Sequence, residues 1–281
     1  MTTTTRLVST DWLASHLGEP DLVIVDGSWH MPASGRKGHD EYLKAHIPGA
    51  VFFDIDTIAD LSSGLPHMLP SEDAFATAVS RLGISKDARI VVYDSAGLFS
   101  APRVWWTLSV FGARNVFILD GGLPKWLAEG HPTEAGATTP TPGHFDARLE
   151  RERVATIEQV AHRLAIGSVQ VLDARAPERF RGEAPEPRPG VRPGHIPGAR
   201  NLPFSDVVKD GRLADAATIR AALAAAGIDS AKPVITSCGS GVTAAILWFA
   251  LDSVGAPPVA LYDGSWTEWG SSDQPAAIGP A

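Results

Sequence analysis

Residues 46–50 read HIPGA, and the same five letters return at residues 195–199. One such match could arise by chance, but three longer segments repeat in the same order. They are VIVDGSW (23–29) with VQVLDAR (169–175), RLGISKDARIVVYDSAG (81–97) with AAGIDSAKPVITSCGSG (225–241), and FGARNVFILDGGLPKW (111–126) with VGAPPVALYDGSWTEW (254–269). Four collinear matches indicate a duplication with a domain-sized period. The sequence therefore predicts two similar domains, residues 1–140 and 153–281, joined by a linker over residues 141–152.

Each half alternates helical segments with short apolar strands. Ser9 and Thr156 are suitable N-cap residues for the first helix of each half. The strands that follow, such as LVIVD and PVITS, are almost continuously hydrophobic, which is typical of strands buried on both faces of a parallel sheet. The pattern predicts an α/β fold in which each domain has a mainly parallel sheet flanked by helices. Ligands of such sheets bind at the carboxyl ends of the strands.

The overall composition excludes several classes of protein. The chain has 281 residues, 44% of them hydrophobic, and a formal charge of −8, which argues against nucleic acid as the main partner. A single cysteine and nine scattered histidines indicate no disulfide, no metal site and no cofactor. We find neither a signal peptide nor an apolar run of the ~18 residues that a membrane span needs. We therefore expect a soluble, cytoplasmic protein without a membrane partner.

The single cysteine lies in VITSCGSGVTAAILWFAL, residues 234–251. The pattern places Cys238 between the end of a strand and the start of a helix. We expect Gly239 and Gly241 to allow positive φ, so that the loop can curl its N–H groups around one point. Such a loop, at the positive end of a helix, stabilises a sulfur anion. The alternative is a buried structural cysteine. We take Ser95 as the counterpart of Cys238 in the first half, which leaves one active site, in the second half.

Two kinds of thiol chemistry use a loop of this type. Cysteine-dependent phosphatases need an arginine six positions after the cysteine to hold the phosphate, and that position is Ala244 here. The sequence therefore argues against a phosphatase and favours sulfur transfer, with a persulfide held in the loop.

The repeated HIPGA, APRVWW, YDGSW and CGSGVTA together resemble the rhodanese superfamily, from about residue 7 to residue 270. The loop CGSGVTA is similar to that of members that use 3-mercaptopyruvate, whereas thiosulfate-using members carry CRKGVTA. A loop without cations suits a donor whose charge is on a carboxylate. The resemblance implies that Arg179 and Arg188 hold this carboxylate, since guanidinium binds it bidentately. The residues implied to line the substrate site are Gly239, Gly241, Val242 and Thr243.

The resemblance also implies a proton relay that crosses the two halves. In it Asp54 orients His67, His67 supports Ser240, and Ser240 protonates the departing enolate of pyruvate. Asp56 is so close in sequence that the choice between Asp54 and Asp56 stays open. The relay requires the active site to lie between the domains, the usual place for a pocket.

Some other residues and the reaction partners follow from the same comparison. Both halves keep the histidine of HIPGA, so we expect His46 and His195 to be structural, whereas Trp29 and Trp266 either line the site or pack at the interface. The implied partners are a small sulfur donor and a thiol or cyanide acceptor, with thioredoxin as one candidate. Two alternatives remain, a thiosulfate:cyanide sulfurtransferase and a sulfur-carrier module that does not turn over.

Overall fold

The computed structural model describes residues 6–280. Residues 1–5 and 281, the outermost parts of the two predicted domains, lie outside the described residues. Residues 1–5 are also the start of the N-terminal segment in which a signal peptide would lie.

The first half forms a five-stranded parallel sheet with strand order β1-β5-β4-β2-β3. Its strands are β1 (Leu7–Val8), β2 (Leu22–Asp26), β3 (Val51–Phe52), β4 (Arg89–Tyr93) and β5 (Val116–Leu119). Its helices are α1 (Thr10–His16), α2 (Gly38–Lys44), α3 (Glu72–Arg81), α4 (Ala101–Val110) and α5 (Gly122–Ala128), with a 3-10 turn at Pro32–Ser34.

The second half repeats this sheet with the order β6-β12-β11-β7-β8 and adds the antiparallel hairpin β9–β10. Its strands are β6 (Val154–Ala155), β7 (Gln170–Asp173), β8 (Arg200–Asn201), β9 (Val208–Lys209), β10 (Arg212–Leu213), β11 (Val234–Ser237) and β12 (Ala260–Tyr262). Its helices are α6 (Ile157–Ala165), α7 (Pro177–Phe180), α8 (Ala216–Ala225), α9 (Ala244–Ser253) and α10 (Ser265–Trp269), with 3-10 turns at Arg151–Arg153 and Phe204–Asp206. The predicted duplicated α/β fold is confirmed.

Local sequence determines where α1 and α6 begin. The hydroxyl of Ser9 accepts the N–H of Trp12 at 3.1 Å, and Thr156 forms a reciprocal capping box with Gln159. The segments that the sequence did not predict are two-residue edge strands and the short helices α2, α5, α7 and α10. They are too short to show a hydrophobic period, and the rest of each domain holds them in place.

Each HIPGA segment pairs with the chain at the end of its own domain. Backbone bridges join His46 to Glu134 and His195 to Ala277, in the chain that follows the last helix of each half. Both histidines are almost fully buried, and each Nδ1 lies within 2.9 Å of a carbonyl, that of Tyr42 or of Phe180. This arrangement fits the structural role expected for them.

Helices α4 and α9 bring the two domains together. Each lies between the sheets, and Trp105 of α4 meets Phe249 of α9 edge to face, with 5.0 Å between the ring centroids. Residues Ala244–Leu251 of α9 are all buried, as expected for a helix that is apolar on every side. One continuous apolar core therefore spans both halves. Within residues 6–280 no helix is long and apolar enough to cross a bilayer.

The hairpin β9–β10 of the second domain also reaches the first. Gly211 packs so closely on Gly97 that a Cβ at residue 97 would lie 2.6 Å from the Gly211 carbonyl oxygen. Arg212 Nε donates to Asp120 Oδ1 at 3.0 Å. Phe204, just before the hairpin, contacts Phe99 of the first domain, with 5.5 Å between the ring centroids. The two domains therefore contact each other through the hairpin region as well as through α4 and α9.

Candidate active site

Cys238 follows β11 directly, at the carboxyl edge of the second sheet, and is 2% exposed. It forms part of a pocket between the domains, because residues of both halves line it. The first domain contributes Trp29 and Phe99, and the second contributes Arg179, Arg188 and Phe204. The structure therefore places the cysteine where the sequence predicted a ligand site.

In residues 238–243, here called the Cys238 loop, three carbonyl groups accept hydrogen bonds from residues outside the loop. The carbonyls of Cys238 and Gly239 accept the N–H groups of Trp266 and Thr267, both at 2.9 Å. The carbonyl of Gly241 accepts from Arg103 at 3.3 Å. In a trans peptide the N–H points opposite to the carbonyl. The next N–H groups, of Gly239, Ser240 and Val242, are therefore turned to the inside of the loop.

The first domain contains the same loop with an anion already in it. Tyr93 pairs with Asp26 as Ser237 pairs with Asp173, so the counterpart of Cys238 is Asp94. The expectation of Ser95 was wrong by one residue, because the aligned strands end at Tyr93 and Ser237.

Asp94 is 1% exposed and its carboxylate accepts four backbone N–H groups. They belong to Ala96, Phe99, Ser100 and Ala101, at 2.8–2.9 Å. The last three precede or begin α4, as Val242, Thr243 and Ala244 precede or begin α9. The corresponding donors in the Cys238 loop are therefore placed to bind an anion at Cys238, where no carboxylate stands.

The two loop glycines have different reasons to be glycine. Gly241 has a φ of +79°, and a Cβ there would lie 2.7 Å from Arg103 Nη1. Gly239 is not among the residues with positive φ, which corrects the expectation for this position. A Cβ at Gly239 would instead approach Arg179 Nη2 to 3.1 Å. At residue 241 the backbone conformation favours glycine, whereas at residue 239 a side chain would approach Arg179.

The structure places His67 against Ser240 across the domain boundary. His67 Nδ1 lies 3.1 Å from Ser240 Oγ, and both residues are buried. On the other side of the ring, Nε2 lies 3.0 Å from Asp56 Oδ1. Because the carboxylate can only accept, it fixes the proton on Nε2 in the neutral ring. The hydrogen bond with His67 holds the pKa of Asp56 below its ordinary value.

Asp54 does not contact His67, and the expectation for this residue is therefore corrected to Asp56. Asp54 Oδ1 accepts the N–H of Asp56 at 3.0 Å, and the Asp54 carbonyl accepts that of Ile58 at 2.9 Å. These bonds form a turn that directs the Asp56 carboxylate to His67 and to Trp29, whose Nε1 donates at 3.1 Å. Asp54 thus stabilises the turn, and Asp56 contacts the His67 ring.

The two arginines implied by the resemblance both line the Cys238 pocket, but their charges differ in availability. Arg179 Nη2 forms an ion pair with Glu186, which also binds Arg175 Nη1 at 2.8 Å. Arg188 is partly buried, and within residues 6–280 it forms no ion pair or hydrogen bond. Burial lowers the pKa of Arg188, an effect that the Cys238 thiolate opposes and the Arg179 charge reinforces. Arg188 is the cation in the pocket that lacks a partner.

The remaining expected residues divide between the pocket and the core. Gly239, Val242 and Thr243 line the pocket, whereas Gly241 faces Arg103. Trp29 lines it too, while Trp266 is fully buried under Arg175 and donates to the Arg192 carbonyl at 2.8 Å. Sequence reasoning missed Glu186, Arg103 and Asp263. The partners of Arg103 and Asp263 are distant in sequence, and only the segments APRVWW and YDGSW marked their neighbourhoods. Glu186 lies in a charged loop near its two arginine partners, and no motif marked it.

The fold and the site together define a two-domain α/β protein with one thiol in an anion-binding loop. The model of the rhodanese-like domain matches residues 9–129 and again 156–272. The chain belongs to the rhodanese family.

Similar proteins cover almost the whole chain. The 3-mercaptopyruvate sulfurtransferase of Escherichia coli strain K12 is 45% identical over 95% of this chain and 96% of its own. The thiosulfate sulfurtransferase of Bos taurus is 44% identical over 94% of this chain and 91% of its own. The crystal structure of SseA from Escherichia coli, described as a 3-mercaptopyruvate sulfotransferase of rhodanese fold, superimposes with a TM-score of 0.87. It is 43% identical and covers 94% of this chain and 99% of that one.

The contact between Gly241 and Arg103 predicts that Gly241→Ala costs more stability than the positive φ alone. Gly255 is the matched control, because its φ is +78° and nothing lies within 4 Å of an added Cβ. We expect Gly255→Ala to lower the free energy of unfolding by ~1–2 kcal/mol, and Gly241→Ala by at least ~1 kcal/mol more. Urea denaturation of both variants measures this difference, and equal losses would contradict the role given to Arg103.

Proposed function

We propose that the protein transfers the sulfur of 3-mercaptopyruvate to a thiol or cyanide acceptor, through a persulfide on Cys238. The observation that carries the proposal is the combination of an open anion-binding loop at Cys238 with the unpaired Arg188 in the same pocket. The loop suits the sulfur anion and Arg188 suits the donor's carboxylate. The names of the relatives support the same donor.

The first step forms one bond and breaks another. The thiolate of Cys238 attacks the sulfur of mercaptopyruvate, so that a sulfur–sulfur bond forms and the carbon–sulfur bond breaks. The electron pair of the broken bond leaves on carbon as the enolate of pyruvate, which then needs a proton. Ser240 delivers it, and the serine oxygen regains a proton from Nδ1 of His67 in its imidazolium form, while Asp56 holds the Nε2–H. The proton that the thiol group of mercaptopyruvate loses as its sulfur becomes the persulfide anion restores the imidazolium. An acceptor thiol or cyanide then removes the outer sulfur and restores the thiolate. A protein thiol such as thioredoxin is an acceptor of the required chemistry.

A second donor, thiosulfate, is supported by the position of Arg179. The Cys238 loop carries no cation of its own, yet Arg179 Nη2 lies directly over Gly239. Its charge can stabilise departing sulfite, although Glu186 offsets much of it. We therefore propose thiosulfate as the slower donor, in line with the name of the bovine relative.

Incubation with either donor in the absence of an acceptor is expected to add one sulfur atom to Cys238. Intact-mass measurement detects the addition, and cyanide should remove it again with the release of thiocyanate. Cys238→Ser is the control and should show neither the added mass nor turnover. A protein that takes up one sulfur but never turns over with free acceptor would be a sulfur-carrier module instead.

Arg188→Met is expected to lower kcat/KM for mercaptopyruvate by ~10–100-fold, because a charged hydrogen bond to the carboxylate contributes ~1.5–3 kcal/mol. Arg181→Met is the matched control, since Arg181 pairs with the exposed Glu183 and does not line the pocket. Steady-state kinetics over a range of donor concentrations measures both. An unchanged kcat/KM in Arg188→Met would mean that the carboxylate binds elsewhere.

Asp56→Asn is expected to slow mercaptopyruvate turnover roughly 10²-fold, because the amide no longer fixes the proton on His67 Nε2. Thiosulfate turnover should change little, since sulfite leaves without a proton from the enzyme. Asp54→Asn keeps an oxygen that accepts the N–H of Asp56 and should be nearly silent with both donors. If the two variants behave alike, or if both donors suffer equally from Asp56→Asn, the relay is wrong.

A further inference from the structure

Arg103 of α4 lies at the centre of the contact between the domains. Its Nη2 is 2.7 Å from Oδ1 of Asp263, which follows β12 in the second domain, and both side chains are 3% exposed. Its guanidinium also lies on the ring of Trp106, with 4.8 Å from Cζ to the ring centroid. A buried ion pair that joins two domains holds their relative position firmly, because neither charge can return to water without separating them.

The same ion pair binds the backbone immediately after the His67 side chain. Arg103 Nη2 donates to the carbonyl of His67, and Asp263 Oδ2 accepts the N–H of Leu69 at 2.8 Å. The contact from Arg103 Nη1 to the Gly241 carbonyl is longer, at 3.3 Å. The carbonyls of Cys238 and Gly239 are held by α10 instead. The shape of the Cys238 loop thus depends on Arg103 less than the placement of His67 does.

His67 needs this support because its backbone is strained. Its φ is +63°, in the left-handed region that a side chain with a Cβ disfavours. Such a conformation persists only where the surrounding contacts leave no alternative. Here the strain directs the ring to Ser240 on one side and Asp56 on the other.

We propose that Arg103, paired with Asp263, is a positioning residue for sulfur transfer from mercaptopyruvate, because it holds the strained His67 against Ser240 across the domain interface. The proposal rests on the proposed function, since it takes His67 to supply a proton through Ser240. Arg103 itself does not line the Cys238 pocket. Its effect on turnover is therefore exerted through His67 and should depend on which donor is used.

Arg103→Lys tests the proposal, because it keeps the buried positive charge beside Asp263 but replaces the two terminal nitrogens that reach the two carbonyls with a single nitrogen on a shorter side chain. We expect kcat with mercaptopyruvate to fall roughly 10–100-fold, the scale of a catalytic group displaced by about 1 Å. Thiosulfate turnover should stay within about threefold of the wild type, and so should the yield of persulfide formed from thiosulfate. Arg212→Gln, which breaks an interdomain ion pair far from His67, is the control and should change neither donor.

A double-mutant cycle separates positioning from a purely structural role. If Arg103 acts through His67, Arg103→Lys should cost less than about twofold in the His67→Ala background. Losses that multiply, an equal loss with both donors, or an unchanged kcat in Arg103→Lys would each overturn the proposal. Asp263→Asn provides a second variant if the lysine protein does not fold, and the same donor-selective loss is expected. A wild-type protein that does not use mercaptopyruvate would refute the proposed function before any variant is made.

Discussion

The backbone N–H groups that surround the end of each central strand are the constraint on which the rest of the structure depends. Buried N–H groups need an acceptor, and the two halves of the chain meet this need differently. In the first half the carboxylate of Asp94 accepts four of them permanently. In the second half Cys238 stands at the equivalent position, and its side chain has no carboxylate oxygens to accept them. The second loop is thus left to bind a charged sulfur.

A duplicated fold provides only one such open loop, so the other groups of the site must come from elsewhere. The first domain provides them in the segment between β3 and α3, where Asp56 and His67 reach across to Ser240. Because the site is divided in this way, its geometry depends on the contacts that hold the two domains together. The apolar contact of α4 with α9, the Gly97–Gly211 contact and the Arg103–Asp263 pair all fix the distance between a histidine and a serine that are far apart in the chain. Any slack between the domains would separate them.

The sequence predicted the strands, the capped helices and the pocket between the domains because each depends on a local pattern or on the repeat. It did not predict contacts that depend on which of several nearby residues faces the site. Asp54 and Asp56 are two positions apart, and only the turn closed by Asp54 shows that Asp56 contacts His67. The sequence predicted a positive φ at Gly239. In the structure the space for a side chain there is limited by Arg179, which is distant in sequence. Arg103 was hidden within a motif that reads as an apolar helix.

The charges of the pocket explain how one family fold can favour one donor. Arg179 and Arg188 face the same space, but Glu186 pairs with Arg179 and leaves Arg188 without a partner. Among the residues that the structure describes, the pocket therefore offers one unpaired positive charge, that of Arg188, which the proposed function assigns to the carboxylate of mercaptopyruvate. Thiosulfate concentrates two negative charges on the group that leaves, directly beside the loop, where the nearest cation is already neutralised. In the proposed function, the distribution of charge, more than its total, favours the donor with a separated carboxylate, because Glu186 pairs with Arg179 beside the loop and not with Arg188.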